Sequence, residues 1–206
     1  MTSRPYVSAS RAAAAIATRA RVLEAATELL RNEAHADAMS LESAAQVAGV
    51  TRATVYNQFG SRRGLLEAVF DERAKKGGLF RVATAMAHAD PLEALHQVIA
   101  IFCDFWSSDP AIGRLNATAS RDAEFALAIA ERNERRRKVM GAIVGRLYRA
   151  GRVREKARKD LVDMLFAFTS WAMFDQLHRG DRDAGAVCAL IVSASDAAVA
   201  AAAPRR

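Results

Sequence analysis

The segment from Ala44 to Phe59 constrains the fold of this chain more than any other stretch. It reads AAQVAGVTRATVYNQF. Gly49 can adopt the left-handed conformation that ends a helix. The hydroxyl of Thr51 can then cap a second helix by accepting a hydrogen bond from a backbone N–H one turn later. The pattern predicts two short helices joined by a tight turn, the helix-turn-helix arrangement that binds DNA.

The two sides of this unit differ in chemistry. The apolar positions can face one small core: Ala45, Ala48, Val50, Val55 and Phe59. The remaining positions of the second helix form an outer face that is mostly polar: Arg52, Ala53, Thr54, Tyr56, Asn57 and Gln58. At 1.5 Å per residue this helix is about 12 Å long, which suits a major groove about 12 Å wide.

Two residues of the outer face are candidates for reading bases. Arg52 can donate to both O6 and N7 of guanine, and Asn57 can pair with N6 and N7 of adenine. Ala53 can contact a thymine methyl group. A solvated surface charge remains an alternative for Arg52, and a packing role remains an alternative for Tyr56.

Composition and spacing predict an all-α chain of about nine helices. Alanine dominates, with only 11 Gly and 4 Pro, and no strand pattern or internal repeat is visible. We divide the chain into a flexible basic arm (1–14), a helix-turn-helix domain of three helices (15–60) and a larger helical-bundle domain (61–206). The arm can reach DNA or be an incidental disordered tail. The first helix has apolar residues at the spacing of one buried face: Ile16, Ala20, Leu23, Ala26 and Leu30.

Basic residues are concentrated far from the helix-turn-helix. The net charge of +7 is compatible with a nucleic-acid partner, but residues 132–159 contain twelve basic and two acidic residues. In the long helix predicted there, the apolar stripe extends backward onto Arg136 and Arg132. These arginines can meet an anionic ligand or an internal carboxylate such as Asp163 or Asp175. We expect instead that the helix end projects beyond the core and that its arginines are solvated.

The rest of the composition indicates a soluble cytoplasmic protein without a cofactor. Cys103 and Cys188 are isolated in sequence, which favours a reduced environment. Arginines interrupt the N-terminal apolar run, so no secretory signal is expected. The Ala-rich segment 186–203 is too weakly hydrophobic to predict a membrane span. His96 and Cys103 can share a helix face, but no third ligand is placed by spacing, so no metal site is predicted.

Two C-terminal helices are predicted to join two copies of the chain. The helix near 154–179 contains the segment 161–174, which is apolar on nearly every side. The helix near 183–203 offers small residues that allow close packing. Together they predict a homodimer seam, with a buried pair of core helices as the alternative. A second copy would also suit a palindromic site in double-stranded DNA.

Residues from about Arg19 to Phe70 resemble the DNA-binding domain of TetR-family transcriptional regulators. The motif that carries the resemblance is Ser40-Leu41, Ala44-Ala45, Ala48-Gly49-Val50-Thr51, Thr54-Val55-Tyr56, Phe59, Ser61-Arg62 and Leu65-Leu66. It covers about a quarter of the chain. The remainder resembles the family in being helical and of similar length.

The resemblance implies a set of DNA contacts. It implies phosphate contacts by the following side chains: Thr54, Tyr56, Gln58 and Arg62. The complete set of candidate DNA-binding residues is Thr51, Arg52, Ala53, Thr54, Tyr56, Asn57, Gln58 and Arg62.

The resemblance also implies a pocket in the larger domain, where an unidentified small-molecule effector would change the spacing of the two DNA-binding heads. Candidate lining residues are mainly apolar: Phe102, Trp106, Phe125, Arg136, Met140, Phe168 and Trp171. An ordinary hydrophobic core is the alternative for these side chains.

The predicted function is that of a homodimeric repressor released from its operator by an effector. A ligand-independent activator or architectural DNA-binding protein is the second hypothesis. An all-helical enzyme is the third, but the sequence contains no phosphate-binding loop, no Gly-x-Ser-x-Gly and no His-Glu-x-x-His. We therefore predict no enzymatic activity.

Overall fold

The protein is all-α in a computed structural model that describes residues 5–32 and 39–204, with side chains from residue 11 onward. Eleven α-helices and no strand occur within these residues. In chain order the helices are α1 (Pro5–Arg31), α2 (Leu41–Ala48), α3 (Arg52–Phe59), α4 (Arg62–Lys76), α5 (Val82–Met86), α6 (Pro91–Ser107), α7 (Pro110–Ala119), α8 (Ala123–Arg149), α9 (Arg158–Phe168), α10 (Trp171–Leu177) and α11 (Ala184–Ala201). Short 3₁₀ turns at Leu79–Arg81 and Glu155–Ala157 precede α5 and α9.

The all-α prediction is confirmed, but two of the nine predicted helices are each broken into two. The first break lies at Gly77 and Gly78, where Gly78 has a φ of +80°. The second lies at Thr169 and Ser170. Thr169 donates its hydroxyl back to the Leu165 carbonyl (2.9 Å), and Ser170 caps α10 by accepting from the Met173 N–H (3.1 Å). Hydroxyl side chains that bond to nearby backbone compete with a continuous helix in this way.

Helix α1 begins earlier than predicted, at Pro5 rather than near Ala15. Residues 1–4 of the predicted arm lie outside the described residues, and a DNA contact by the arm remains a prediction. The predicted buried face of α1 is correct only in its second half. Leu23, Ala26 and Leu30 are buried, whereas Ile16 is 71% exposed and Ala20 is also exposed.

The chain forms two compact units, which do not divide at residue 60. The first unit comprises Met1–Glu72 and Pro110–Phe125, and the second comprises Arg73–Asp109 and Ala126–Arg206. In the first unit, α1 packs against α2 and α7. Its most deeply buried side chains include Val22, Leu30, Val55, Leu65, Leu66, Ile112, Leu115 and Phe125.

Helix α6 is the central element of the second unit and packs against α5 and α11. Asp90 caps it by accepting from the Leu92 N–H (2.9 Å), and Pro91 occupies its first position, where proline is favoured. The Leu92 N–H, helped by the guanidinium of Arg152, holds the pKa of the Asp90 carboxyl below its ordinary value. The buried face of α6 includes Leu95, Val98, Ile99, Phe102, Phe105 and Trp106.

Helix α11 has little of its surface covered in a single chain. Within the described residues it is the one helix long and apolar enough to cross a membrane, and 28% of its residues are buried. Core helices of soluble proteins can have the same length and apolar composition. Its exposed positions are mostly small residues, including Ala186, Ala189, Ser193 and Ala197, and Leu190 is exposed among them.

Candidate nucleic-acid interface and ligand site

The turn between α2 and α3 consists of Gly49, Val50 and Thr51. Gly49 has φ +64° and ψ +40°, and its N–H bonds to the carbonyls of the last turn of α2. The Val50 N–H donates to the Ala45 carbonyl (3.0 Å), which completes a Schellman-type helix end. Thr51 then accepts from the Thr54 N–H (3.1 Å). Gly49 therefore ends α2 and Thr51 caps α3, as the sequence predicts.

Helix α2 is capped reciprocally by two serines. The Ser40 hydroxyl accepts from the Ser43 N–H (3.1 Å), and the Ser43 hydroxyl accepts from the Ser40 N–H (2.9 Å). This capping box satisfies two donors that a helix start otherwise leaves free. It fixes the beginning of α2 and hence the helix against which α3 packs.

Helix α3 has one buried and one exposed side. Val55 and Phe59 are buried with relative exposures of 0% and 9%. The predicted DNA-facing residues Thr51, Arg52, Ala53, Tyr56 and Asn57 are exposed, while Thr54 and Gln58 are half-buried. Tyr56 is 55% exposed, so packing is not its main role within this unit.

Arg52 is free to turn toward a ligand. Its side chain is 65% exposed, and its nearest acidic partner, Glu42, lies 3.9 Å away with a 72% exposed side chain. Such a long surface pair contributes little to stability.

Arg62 already has partners within the first unit. Its Nε donates to the Met39 carbonyl (2.8 Å), and its Nη1 donates to the Asp122 carboxylate (2.6 Å). Its side chain is 35% exposed, so a phosphate contact remains a prediction for a group that also holds the structure together. Asp122 was missed by the sequence analysis because it lies 60 residues away from Arg62.

Arg19 is a second residue that the sequence analysis missed at this site. Its Nη1 donates to the Gln58 carbonyl (3.2 Å), and its guanidinium lies 4.4 Å from the centre of the Phe59 ring. It therefore supports the last turn of α3 from α1. No local pattern around Arg19 indicates that it contacts α3.

The first unit also has two surface clefts, neither of which contains a predicted pocket residue. One has a volume of about 820 Å³ and lies between α1 and α2, and the other, of about 560 Å³, is lined by Arg62, Thr118, Arg121 and Asp122.

Six of the seven predicted pocket residues belong to the second unit, whereas Phe125 belongs to the first. Phe102, Trp106 and Trp171 form one aromatic row, with ring centres 6.2 Å and 5.8 Å apart. The Trp106 indole N–H donates to the Thr169 carbonyl (3.1 Å), which joins this row to the break between α9 and α10. Met140 is buried and Phe168 is half-buried.

Arg136 is buried beside this row, with a relative exposure of 6%. The prediction that it is solvated is therefore wrong. The suggested partner Asp163 pairs with Arg137 instead. Arg136 donates to the Phe166 carbonyl (2.7 Å) and the Thr169 hydroxyl (3.1 Å). Phe166 and Thr169 were not recognised from sequence, because the break that exposes their polar groups was predicted to be continuous helix.

Several other arginines of the basic segment 132–159 satisfy helix ends within the second unit. Arg146 donates to the carbonyls of Met86, His88 and Ala89 after α5. Arg154 donates to Ala201 and Ala203 at the end of α11 (2.8 and 2.9 Å). Cations are favourable at helix C-termini, where carbonyls lack intrahelical partners. These arginines of the segment thus have structural roles that the sequence did not reveal.

Two pairs of polar side chains join α6 and α11. His96 Nε2 lies 2.7 Å from the Asp196 carboxylate. Burial raises the pKa of the Cys103 thiol above its ordinary value, and the neighbouring Cys188 thiol raises it further. Among the described residues, no group of three or more His, Cys, Asp and Glu side chains is placed to hold a metal ion.

Comparison with known proteins finds a family match for the segment that contains the helix-turn-helix. The family described as "Bacterial regulatory proteins, tetR family" matches residues 22–69, which include α2, α3 and the first half of α4. A comparison with curated proteins gives no match.

Solved structures share the fold over most of the chain. The TetR-family regulator PfmR from Thermus thermophilus is 21% identical, with a TM-score of 0.64 over 90% of this chain and 96% of that one. FadR from Bacillus subtilis, solved with stearoyl-CoA, is 21% identical, with a TM-score of 0.65 over 85% and 96%. A TetR-family regulator from Pectobacterium atrosepticum is 22% identical, with a TM-score of 0.63 over 94% and 97%.

These similarities agree with the geometry of the helix-turn-helix and with the all-α architecture. At this level of identity the solved structures establish the fold, and the family match establishes the DNA-binding domain. Residues 22–69 thus match the TetR family of bacterial regulatory proteins, and the chain as a whole shares the fold of solved TetR-family regulators.

Proposed function

We propose that the protein is a homodimeric transcriptional repressor that binds a palindromic operator and is released by a small-molecule effector. The observation that carries this proposal is the two-sided helix α3. Val55 and Phe59 hold it to the first unit, while Arg52, Ala53, Tyr56 and Asn57 face outward. A short helix presented in this way has the length and the side chains needed for a major groove.

In this proposal Arg52 and Asn57 read base edges and Ala53 contacts a thymine methyl group. Thr54, Tyr56, Gln58 and Arg62 contact phosphates and position the helix, and Thr51 lies at the start of the same helix. The half-buried state of Thr54 and Gln58 suits contacts at the edge of the groove rather than within it. Arg62 would reach a phosphate while remaining tied to its intramolecular partners.

The exposed faces of α9 and α11 support a dimer. These helices pack against each other, and both leave apolar side chains uncovered, with Met164 39% and Leu190 43% exposed. Along α11 the exposed positions are mostly small, including Ala186, Ala189 and Ala197. Small side chains allow helices of two copies to approach closely, and the pairing would bury a surface that is otherwise in water.

A small-molecule effector is supported by the second unit and by a relative. The aromatic row of Phe102, Trp106 and Trp171 supplies the apolar lining typical of ligand sites. One protein of this fold was solved with stearoyl-CoA, so the architecture can accommodate an organic ligand. Met140 and Phe168 remain candidates for the same lining.

Selection of bound sequences from random DNA duplexes by the purified protein tests the proposal. We expect enrichment of a palindrome, because two copies of α3 would read two equivalent half-sites. Failure to enrich any sequence at low salt would contradict sequence-specific binding. Enrichment of a single half-site without symmetry would contradict the homodimer but not DNA recognition.

A further inference from the structure

Arg136 carries a buried positive charge that the described residues do not neutralise. Its relative exposure is only 6%. Burial, reinforced by the nearby Arg137, lowers its pKa to about 10, so it is still charged at neutral pH. Among the described residues it forms no ion pair, and the carboxylate of Asp163 pairs with Arg137. Burying an unpaired charge is costly, and a binding site can explain why it is kept.

The hydrogen bonds of Arg136 leave one edge of its guanidinium open. Nη1 uses both of its N–H groups, on the Phe166 carbonyl and the Thr169 hydroxyl. Nη2 makes one bond, to the Asn133 side chain at 3.3 Å, and the buried Nε makes none. Of the five donors of an arginine, the two that remain are on Nε and Nη2. These atoms form the edge that binds a carboxylate through two parallel hydrogen bonds.

The other arginines that donate to carbonyls at helix ends show that this role does not require a buried side chain. Arg154 also donates to helix carbonyls, but it is exposed and water can serve its remaining donors. Arg146 is half-buried. Arg136 is the buried member of this group and has a buried donor without a partner. A purely structural role at the end of α9 therefore explains its Nη1 bonds but not its open edge.

The surroundings of Arg136 are aromatic. Its guanidinium carbon lies 4.2 Å from the centre of the Phe166 ring and 5.9 Å from that of Phe102. The Phe102 ring stacks on Trp106, which continues the apolar surface. A single open arginine edge matches an anion with one charge and two oxygens. A phosphate group, with more charge and three oxygens, would need further donors.

We propose that Arg136 binds the carboxylate of a small organic acid whose apolar body packs on the neighbouring aromatic side chains, and that this acid is the effector. The proposal rests on the proposed function, because it names the chemical class of the molecule that would release DNA. Its specificity arises from leaving a buried donor pair unsatisfied when a neutral analogue binds.

Matched acids and amides test the carboxylate. The probes are octanoate with octanamide and cinnamate with cinnamamide, titrated calorimetrically into the full-length protein. We expect at least one acid to bind roughly tenfold or more tightly than its amide, as a buried charge-assisted pair predicts. Equal affinities for acid and amide, or no binding of either acid at millimolar concentration, would overturn the proposal.

Three variants test whether the preference for an acid over its amide arises at Arg136. Arg136→Met should remove the preference for acid over amide, and Arg136→Lys, which keeps the charge but not the two-donor edge, should reduce it. The double variant Arg137→Met/Asp163→Asn is the matched control, because it removes a guanidinium from the same Phe166 ring together with the carboxylate that pairs with it. It should leave the preference unchanged. If Arg136→Met does not fold, Arg136→Lys decides, and an undiminished preference in Arg136→Lys would contradict binding at this edge.

Release of the selected operator separates this inference from the proposed function. If an acid binds through Arg136 and releases the operator, both are supported. If it binds through Arg136 without affecting DNA, the anion site stands, whereas its identification as the effector site is overturned. If a neutral probe releases DNA and the acids bind no better than their amides, the repressor stands and the carboxylate inference fails.

Discussion

Arg52 and Arg62 lie at the two ends of the α3 region and differ in what already holds them. Arg52 is solvent-exposed with a distant partner, so its replacement should affect DNA and not folding. We expect Arg52→Ala to weaken operator binding by about 1–3 kcal/mol and to relax sequence preference at one base position. Its free energy of unfolding should change by less than about 0.5 kcal/mol. A gel-shift titration over single-base operator variants measures this, and uniform weakening across them would contradict base reading.

Arg62 is expected to behave in the opposite way because it bonds to Met39 and Asp122. Arg62→Met should lower the free energy of unfolding by about 1 kcal/mol, a value reduced by the partial exposure of the pair. If Arg62 also contacts phosphate, the salt dependence of DNA binding should fall by about one charge per protomer. Denaturant unfolding and binding at several salt concentrations separate the two effects. An unchanged unfolding midpoint would contradict the structural role, and Arg52→Met serves as the exposed control.

At the scale of elements, the end of α4 depends on a close approach at Gly77. A Cβ built there would lie 2.7 Å from Phe105 Cδ2 and 3.1 Å from the Arg73 carbonyl oxygen. Gly77→Ala should therefore lower the free energy of unfolding by about 1–3 kcal/mol. Gly141, inside α8, has nothing within 4 Å of such a Cβ. Gly141→Ala should instead raise the free energy of unfolding by about 0.5–1 kcal/mol. Thermal unfolding of the two variants gives the comparison, and a loss of equal size in both would contradict the packing argument.

Local signals predicted the elements well, and long-range contacts were not predictable. Gly49 and Thr51 carry their roles in their own chemistry, so the turn between α2 and α3 followed from sequence. The burial of Arg136 depends on where α9 is interrupted relative to α8, which no local pattern specifies. The Thr169-Ser170 pair was a usable signal for that interruption, but the apolar residues around it favoured a continuous helix. Ile16 has the spacing of a buried residue but lies where nothing in a single chain covers it.

At the scale of the whole molecule, the uncovered face of α11 predicts that two copies of the chain pair through this helix. Ala189→Arg places a long charged side chain on that face and should convert a dimer into a monomer. Operator affinity should fall by at least roughly a hundredfold, since a monomer reads only one half-site. Sedimentation equilibrium measures the mass. Ala83→Arg is the matched control, because Ala83 is an exposed alanine of α5. A dimeric Ala189→Arg protein would show that another surface joins the two copies.

The contacts of Arg154 have a practical consequence for handling the protein. Its backbone N–H donates to the Ala202 carbonyl (2.9 Å), and its guanidinium donates to the carbonyls on either side, Ala201 and Ala203. The segment 201–203 is therefore held in place by three hydrogen bonds from Arg154. Trimming back to Ala200 to aid crystallisation would remove three acceptors at once and loosen the start of the turn before α9. An affinity tag is better joined beyond Pro204, because the three hydrogen bonds from Arg154 are then kept.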